Sequence, residues 1–538
     1  MTVTAAQKPF VHLFHTDNVK YAYDVNSGLV AEVDNLRWTL LAEWDKTDEE
    51  IAASAGNGVT AEAVETARNR IRELGDNAEL FSARRPRAIK SHHSREGAER
   101  KLSHECHQLI LCATEACNMR CSYCYYTSGR DSERGHGSAM MTWETAHRAL
   151  DFFFEHSVES MAKYKAQQAE LAQGKHVASN DIEPKPCVGF YGGEPLLNWP
   201  LMKRVAEYVR SSKDGGEFLI NCTVNGTLLT PEIMRFMARH NFSLNVSLDG
   251  PKDIHDRYRR TAGGAATWDT IKANLMYMRD NLRDFYDNRV SLLGVMAPPN
   301  NLRCLMEFVE TADWLPERGI RFNGLEYGSP QCFWNPLGRE EQEIVSDGLW
   351  EEFVEATVAG KYLGGRRDTL GGGKERRRLS FLRQMYNLEM AHVYNRVRQM
   401  FEGKNILPEV MASNFGMCLP GQERIYVRID GKILPCERLP SEAPDLVIGD
   451  LDSGFDIDAI MRLCDGNAAL LADKCVNCWN IRMCAIPCHR ILGPDGRLSR
   501  EAKLKACEET RLRCHHALVG MCAILERNPR ALDHLKRI

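Results

Sequence analysis

The stretch CNMRCSYCYY, residues 117–126, carries three cysteines, Cys117, Cys121 and Cys124, with three and then two residues between them. Tetrahedral zinc sites and fully ligated iron–sulfur clusters take four protein ligands. Three thiolates from one loop can instead hold three corners of a [4Fe–4S] cluster and leave one iron open. The spacing alone also allows a zinc knuckle with a distant fourth ligand, or three reduced thiols without metal.

Strand-like and helical segments alternate around this stretch, from about residue 107 to residue 330. Six apolar runs predict strands: QLILCAT, CVGFYGG, FLINCTVNG, FSLNVSLDG, VSLLGVMAP and IRFNGLEYG. Helical periodicity between them predicts an α/β fold with a parallel sheet and right-handed crossovers. Six units predict a partial (β/α)6 TIM barrel rather than a closed eight-fold barrel. The three-cysteine loop follows the first strand, at the edge where such folds bind ligands.

The motifs in this region resemble those of radical S-adenosylmethionine (radical SAM) enzymes. CxxxCxφC follows the first strand, with Tyr123 at the aromatic position φ. GGEP (192–195) follows the second strand, NGT (225–227) the third, and SLDG (247–250) with HDRYR (255–259) the fourth. The resemblance covers roughly residues 107–330.

This resemblance implies a cofactor site. In the family, the amino and carboxylate groups of S-adenosyl-L-methionine chelate the open iron of a [4Fe–4S] cluster, and reduction gives a 5′-deoxyadenosyl radical. Cys117, Cys121 and Cys124 would hold that cluster. The resemblance places Tyr123 on the adenine face, Gly193 and Glu194 near the amino group, and Ser247 and Arg259 near the ribose and carboxylate. Gly192 and Asn225 are further expected contacts of the nucleotide. No catalytic acid or base is identified beyond the cluster.

A second field of cysteines follows in the last quarter of the chain, where IYVRIDGKILPC (425–436) also predicts a hairpin. The field resembles the SPASM extension of radical SAM enzymes, whose seven cysteines bind two auxiliary [4Fe–4S] clusters. The resemblance assigns Cys475, Cys478, Cys484 and Cys507 to one cluster, and Cys418, Cys436 and Cys488 to the other. The latter often has a fourth cysteine six residues after the first, but here that position is Arg424. The cluster therefore has an open iron or recruits another ligand. A site with two zinc ions is the alternative.

The first 83 residues predict three strands followed by three helices, a winged-helix-like unit. Such a unit before a radical SAM domain resembles the recognition elements of peptide-modifying (RiPP) enzymes, which bind a precursor's leader as an added strand. The expected strand is LVAEVDN (29–35), beside the helix at 60–76. YAYDVNSGLVAEVD (21–34) is similar to modules of the thioether-forming maturases of ranthipeptides (SCIFF peptides). A scaffold domain without a peptide role is the alternative.

Composition restricts the classes of function. The formal net charge is −4, and the third predicted helix mixes Arg and Glu, so nucleic-acid binding is not expected. No apolar run reaches the roughly 18 residues of a membrane span, and no signal peptide is seen, so the expected location is the cytoplasm without membrane contact. Nineteen cysteines in such a chain favour metal or catalytic use over disulfides.

The leading hypothesis is a radical SAM peptide maturase that abstracts hydrogen from a ribosomal precursor peptide and installs a cross-link, a Cys sulfur-to-carbon thioether. Its expected partners are the leader of that peptide and a small electron donor of the flavodoxin or ferredoxin type. The alternatives are a carbon–carbon cross-linking maturase, an anaerobic sulfatase-type formylglycine maturase, and a non-catalytic iron–sulfur or zinc scaffold. The predicted segments are 1–83 (recognition element), 84–106 (linker), 107–330 (partial barrel), 331–414 (helical bridge) and 415–538 (SPASM domain).

Overall fold

A ten-stranded sheet forms the middle of the chain, and its last four strands belong to the cysteine-rich C-terminal part. An N-terminal unit with its own small sheet precedes it. The computed structural model describes residues 8–77, 80–124, 126, 135–174, 183–212, 217–297, 302–324, 348–362, 373–401, 407–413 and 416–537. In this part of the chain, no helix is both long enough and apolar enough to cross a membrane.

The N-terminal unit has the expected order of three strands and three helices. Its elements are β1 (Val11–His15), β2 (Lys20–Asp24), β3 (Val30–Glu32), α1 (Asn35–Ala42), α2 (Asp48–Ala55) and α3 (Ala61–Asp76). The strands form an antiparallel sheet in the order β1–β2–β3, and within the described part of the chain β3 pairs with β2 alone. β3 is shorter than LVAEVDN because the Asp34 side chain accepts from the backbone N–H of Arg37 and starts α1. The helices have their own core with β2, around Leu40, Trp44 and Ile51.

Residues 84–106 are not a simple linker, which corrects the expectation from their polar composition. They contain β4 (Ala88–Ser91) and α4 (Arg95–His104). β4 pairs in parallel with a strand at Val410–Ser413. Ala98 and Leu102 of α4 are buried in the main core. The basic residues that give the segment its polar composition are mostly exposed. The pairing of β4 with a strand more than 300 residues away cannot be recognised from local composition.

The main sheet contains the six expected strands. They are β5 (Gln108–Thr114), β6 (Cys187–Gly192), β7 (Leu219–Val224), β8 (Phe242–Ser247), β9 (Val290–Met296) and β10 (Ile320–Gly324), each parallel to the next. The helices between them are α5 (Trp143–His156), α6 (Val158–Ala172), α7 (Trp199–Ser211), α8 (Pro231–Arg239), α9 (Lys252–Tyr258), α10 (Trp268–Asn281), α11 (Arg283–Arg289) and α12 (Leu302–Thr311). β5 is apolar and buried along most of its length, as is typical of a strand in a parallel sheet that is buried on both faces.

The C-terminal part continues the same sheet. Its elements, after α13 (Leu349–Val358) and α14 (Gly373–Phe401), are β11 (Val410–Ser413), β12 (Ile425–Val427), β13 (Lys432–Leu434), β14 (Gly449–Asp450), β15 (Gly454–Phe455), α15 (Ile457–Ala469), α16 (Ala472–Cys475) and α17 (Arg500–Arg527). β12 pairs in parallel with β5, and β13, β14 and β15 follow antiparallel. α14 packs against α12, α13 and α17. Of the expected helical bridge, residues 331–347 and 363–372 lie outside the described residues.

Candidate functional site

The three-cysteine loop, residues 117–124, is separated from the end of β5 by two residues, and backbone hydrogen bonds fix its position. The backbone N–H groups of Arg120 and Ser122 donate to the carbonyl oxygens of Arg260 and Tyr258 at 2.9 and 3.0 Å. The loop therefore runs beside the segment that follows α9. This pairing joins the carboxyl ends of β5 and β8 into one edge of the sheet.

The three thiols of this loop are half-buried and interact with one another electrostatically. The backbone N–H of Met119 donates to Cys117 Sγ at 3.4 Å. Burial, followed by the charge of Cys121, raises the pKa of Cys124 to about 11. Within the described residues, no three or more His, Cys, Asp or Glu side chains surround the position of a single ion. An iron–sulfur cluster has a different requirement, because each of its thiolates binds a different iron.

The glycines of GGEP bring β6 into direct contact with the start of this loop. The N–H groups of Gly193 and Glu194 donate to the carbonyl oxygens of Thr114 and Ala116, both at 2.8 Å. A Cβ on Gly192 would overlap the Thr114 carbonyl oxygen, and a Cβ on Gly193 would overlap that of Ala116. Only glycine permits this approach of the two backbones.

Glu194 and Asn225 hold neighbouring loops together. The buried Glu194 carboxylate accepts from the N–H groups of Leu196 at 3.1 Å and Asn225 at 2.7 Å. Burial raises the pKa of Glu194 to about 7, against the opposing effect of these two hydrogen bonds. The Asn225 amide donates to Asn118 Oδ1 at 2.7 Å, and its oxygen accepts from Thr227. Both side chains are thus satisfied within the protein and link β6 and β7 to the three-cysteine loop.

A buried guanidinium lies at the same edge. Arg259 is 7% exposed and donates from Nη1 to the Tyr123 hydroxyl at 2.7 Å. That hydroxyl donates to Asp249 Oδ2 at 2.6 Å, and Asp249 Oδ1 accepts from the N–H of Val295 at 3.0 Å. Burial acts to lower the pKa of Arg259. The negative charges of Tyr123, Cys121 and Asp249 outweigh burial, so the pKa is raised overall. The Arg259 Nε is buried and has no hydrogen-bond partner among the described residues, so it remains available to an anionic ligand.

This geometry changes the expected role of Tyr123 and adds residues that the sequence did not single out. The Tyr123 ring lies beside Tyr258, with centroids 5.8 Å apart, and its hydroxyl bridges Arg259 and Asp249. Asp249 stands in the quoted SLDG motif, and only its polar character before a glycine turn could have marked it. Asn118 lies inside the cysteine motif itself.

All sequence-predicted nucleotide contacts lie in or beside the loops at the carboxyl edge of β5 to β8. They are Tyr123, Gly192, Gly193, Glu194, Asn225, the half-buried Ser247 and Arg259. Three thiols, a close backbone cradle and an unpartnered guanidinium nitrogen fit an iron–sulfur cluster and a ligand that carries a carboxylate.

Comparison with known proteins agrees with this geometry. Residues 111–312 match the family model of the radical SAM superfamily. The chain contains a radical SAM domain.

Relatives of the radical SAM domain include several named enzymes. One is the cysteine-type anaerobic sulfatase-maturating enzyme of Clostridium novyi, 25% identical over 31% of this chain and 38% of the relative. Another is the radical SAM cyclopropyl synthase TigE of Paramaledivibacter caminithermalis, 27% identical over 32% of each chain. The matches span only about a third of these relatives.

Solved structures also align with the chain. A sulfatase-maturating enzyme described as native anSMEcpe with bound AdoMet aligns with a TM-score of 0.48 at 17% identity, over 80% of this chain and 99% of its own. Streptococcus suis SuiB aligns with a TM-score of 0.39 at 11% identity, over 88% and 94%.

Outside the radical SAM domain, four cysteines form one electrostatically coupled group, which we call the four-thiol group: Cys475, Cys478, Cys484 and Cys507. The Lys503 side chain is almost fully buried beside this group and donates to the carbonyl oxygen of Asn467. The pKa of Lys503 is lowered overall by burial, and the charges of the neighbouring thiols partly oppose this effect. A buried cation at this place offsets the negative charge of clustered thiolates. No local sequence signal marks Lys503, because its place beside the cysteines depends on how α17 packs.

Cys418, Cys436 and Cys488 form a separate set, which we call the three-thiol group. Burial and the charge of Cys488 raise the pKa of Cys436, and burial followed by the charge of Cys418 raises that of Cys488 to about 12. Arg424 lies close to Cys418 and Cys436 and forms an ion pair with Glu437. The position of the expected fourth cysteine is thus occupied by a paired cation.

The N-terminal unit docks directly on the loop of the four-thiol group. His12 stacks on Trp479, with ring centroids 3.7 Å apart and planes 5° apart. Arg482 Nε donates to the carbonyl oxygen of Val25 at 2.7 Å. Both Trp479 and Arg482 stand between Cys478 and Cys484 in the sequence. The turn that precedes β3 therefore contacts a cysteine-bearing loop.

Gly193→Ala is expected to weaken binding of S-adenosylmethionine at least ~10-fold, about 1.4 kcal/mol. The new methyl group would overlap the Ala116 carbonyl oxygen and separate β6 from the three-cysteine loop. Anaerobic isothermal titration calorimetry on the iron-loaded protein measures the change. Gly263→Ala is the matched control, because its nearest neighbour to a Cβ is 3.9 Å away. Equal affinity in both variants would contradict the cradle.

Stability is expected to fall with acid partly through His255. Burial lowers the pKa of this side chain from 6.5 to about 2, and it accepts from the N–H of Asp249 at 3.2 Å. Because the folded pKa lies below the unfolded one, this stability is present above pH 6.5 and is lost as pH falls. The slope is about 1.4 kcal/mol per pH unit for one proton.

The thermal midpoint, followed from pH 7.5 to 5, tests this acid dependence. His255→Gln should depend less steeply on pH than the wild type. The exposed His104→Gln should retain the wild-type dependence. If the His255 variant follows the wild-type curve, the acid sensitivity arises elsewhere.

Proposed function

We propose that this protein is a radical SAM peptide maturase that oxidatively cross-links a ribosomal precursor peptide, joining a Cys sulfur to a carbon. The observation that carries the proposal is that a radical SAM domain and two separate cysteine groups occur in one chain. When bound, the cofactors supply a 5′-deoxyadenosyl radical that abstracts hydrogen. The chain's residues supply the site for the nucleotide, the charges around it and the peptide-binding surface.

Arg259, Tyr123 and Asp249 orient the nucleotide in this proposal. The Arg259 guanidinium is held by the Tyr123 hydroxyl, which leaves its unpartnered Nε for the ligand's carboxylate. Burial in a water-poor site strengthens this charge pairing. Gly192 and Gly193 keep the backbone close enough for carbonyl oxygens to accept from an ammonium group.

The cysteine groups outside the domain serve the oxidation. Forming a sulfur-to-carbon bond removes two hydrogens from the peptide. One leaves as a hydrogen atom to the adenosyl radical, and the other leaves as a proton with one electron. The three-thiol and four-thiol groups are proposed to hold auxiliary clusters, one of which accepts this electron.

The free edge of β3 is the proposed site for the leader. The N–H of Val33 donates to Lys20 and the carbonyl of Leu29 accepts from Asp24, so alternation turns the N–H groups of Val30 and Glu32 outward. A peptide strand can add there through main-chain hydrogen bonds. An electron donor protein of the flavodoxin or ferredoxin type completes the proposed set of partners.

Val30→Pro is expected to weaken binding of the precursor peptide at least ~10-fold, because it removes one outward donor that an added strand needs. It does not remove a hydrogen bond to β2. Val30→Thr keeps the N–H and a branched side chain and should bind normally. Fluorescence anisotropy with a labelled precursor measures binding, and basal 5′-deoxyadenosine formation should not change. Equal binding by both variants would exclude leader binding at β3.

A formylglycine-forming maturase is the second candidate, because several relatives of the domain are sulfatase-maturating enzymes. Mass spectrometry of the treated peptide separates the reactions. A cross-link and a formylglycine made from serine both lose two hydrogens, so the aldehyde decides between them. An aldehyde captured by a hydrazide indicates formylglycine, and loss of two hydrogens without such capture indicates a cross-link. Cys-to-Ala scanning of the peptide then separates a thioether from a carbon–carbon bond. An unmodified peptide in the presence of 5′-deoxyadenosine would exclude that peptide as the substrate.

A further inference from the structure

One face of α15 lies against the three-thiol group. Leu463 lines a narrow, mostly apolar cavity together with Cys418 and Cys488. One turn later, Asn467 Nδ2 donates to the sulfur of Met417 at 3.7 Å, directly before Cys418 in the sequence. Asn467 is 2% exposed, and its side-chain oxygen Oδ1 has no hydrogen-bond partner among the described residues. This face therefore supplies part of the wall around the group.

Cys464 lies on the same helix between these two contacts. Residues three and four apart share a helix face, so Cys464 lies on the side of Asn467. It is 3% exposed. Burial, followed by the charges of Asp465, Cys418 and Cys488, raises its pKa to about 12. The buried Cys522 differs, because burial and Glu526 alone raise its pKa.

Arg424 leaves one corner of the three-thiol group without a protein ligand. A guanidinium does not bind iron, and its pairing with Glu437 fixes it beside Cys418 and Cys436. A fourth thiol could reach the three-thiol group only from a side that Arg424 does not occupy. α15 carries such a thiol, Cys464.

We propose that Cys464 is the fourth ligand of the auxiliary [4Fe–4S] cluster held by Cys418, Cys436 and Cys488. The inference rests on the proposed function, which places a cluster there. Cys464 loses its proton when it binds iron, as every thiolate ligand does. A cluster with four thiolate ligands has no open iron for a substrate sulfur, so this cluster transfers electrons and the peptide sulfur is held elsewhere.

The test uses the full chain with Cys117, Cys121 and Cys124 replaced by alanine, so that only auxiliary clusters contribute to the spectra. This background protein and its Cys464→Ala, Cys464→Ser and Cys522→Ala derivatives are reconstituted anaerobically. Iron content, Mössbauer spectra and electron–nuclear double resonance with ¹³C-cyanide are recorded. Cyanide is the probe because a small anion binds an open iron. The thermal midpoint of each variant checks its folding.

With Cys464 present, and in the Cys522→Ala control, no ¹³C coupling is expected. In Cys464→Ala, either the coupling appears or one cluster is lost at an unchanged thermal midpoint. If that variant does not fold, Cys464→Ser should keep the cluster with altered g-values. Coupling in the background protein, or unaltered spectra in both Cys464 variants, would overturn the proposal. A background protein without any iron would instead contradict the auxiliary clusters of the proposed function, and with them this ligand.

Discussion

Cys121→Ala is expected to lower the rate of 5′-deoxyadenosine formation at least ~1000-fold, about 4 kcal/mol in activation free energy. The loop offers three thiols, and its backbone is fixed to the segment after α9, so no other cysteine of the loop can move into the vacant place. Two remaining thiolates leave the cluster without a stable attachment. Anaerobic turnover with dithionite, followed by chromatography of the nucleosides, measures the effect.

Cys112→Ala is the matched control for this substitution. Cys112 is a buried thiol in β5, five residues before the loop, and its loss is expected to cost only about 1 kcal/mol of stability. The control should therefore form 5′-deoxyadenosine at a rate near that of the wild type. Wild-type cleavage by Cys121→Ala would show that another site holds the catalytic cluster.

Cys478→Ala is expected to separate the two halves of the reaction. Cys478 belongs to the four-thiol group and not to the three-cysteine loop, so nucleotide cleavage should stay within about threefold of the wild type. The yield of cross-linked peptide should fall ~100-fold, because the electron released from the peptide can no longer pass through the cluster of the four-thiol group. Quantifying 5′-deoxyadenosine and peptide product in one reaction gives both values.

The buried Cys522→Ala provides the comparison for Cys478→Ala. It removes a buried thiol of α17 whose pKa is raised by burial and Glu526, with no contribution from another cysteine among the described residues, and both products should form. If Cys478→Ala also forms the cross-link at the wild-type rate, the four-thiol group has no part in the oxidation. If it loses cleavage as well, the group supports the structure of the whole chain.

The sequence predicted the elements whose signals are local. The six parallel strands could be recognised from apolar runs between turn residues. The hairpin of β12 and β13 followed from IDGK between two short β-prone runs. The pairing of β12 with β5 and of β4 with β11 could not be predicted, because each joins segments that are hundreds of residues apart.

The residues of the site were likewise predictable where their signals are local and unpredictable where they depend on long-range packing. The cysteine spacing and the glycines at strand ends indicated which loops would meet. The role of the Tyr123 hydroxyl and the position of Asp249 depend on how β8 and α9 are oriented in space. Cys464 stands among apolar residues, so the local sequence does not distinguish it from an ordinary buried thiol. Only the packing of α15 against the loop of Cys418 distinguishes it from Cys522.

The parallel pairing of β5 with β12 has a consequence for synthesis of the chain. The edge of β5 that pairs with β12 stays unpaired until β12 is translated, about 300 residues later. At synthesis rates of about 5–20 residues per second, that delay is roughly 15–60 seconds. During this time an apolar strand edge, next to reactive thiols, is open to misassembly. A nascent-chain chaperone and an oxygen-poor cell should therefore increase the yield of active protein more than slower growth alone.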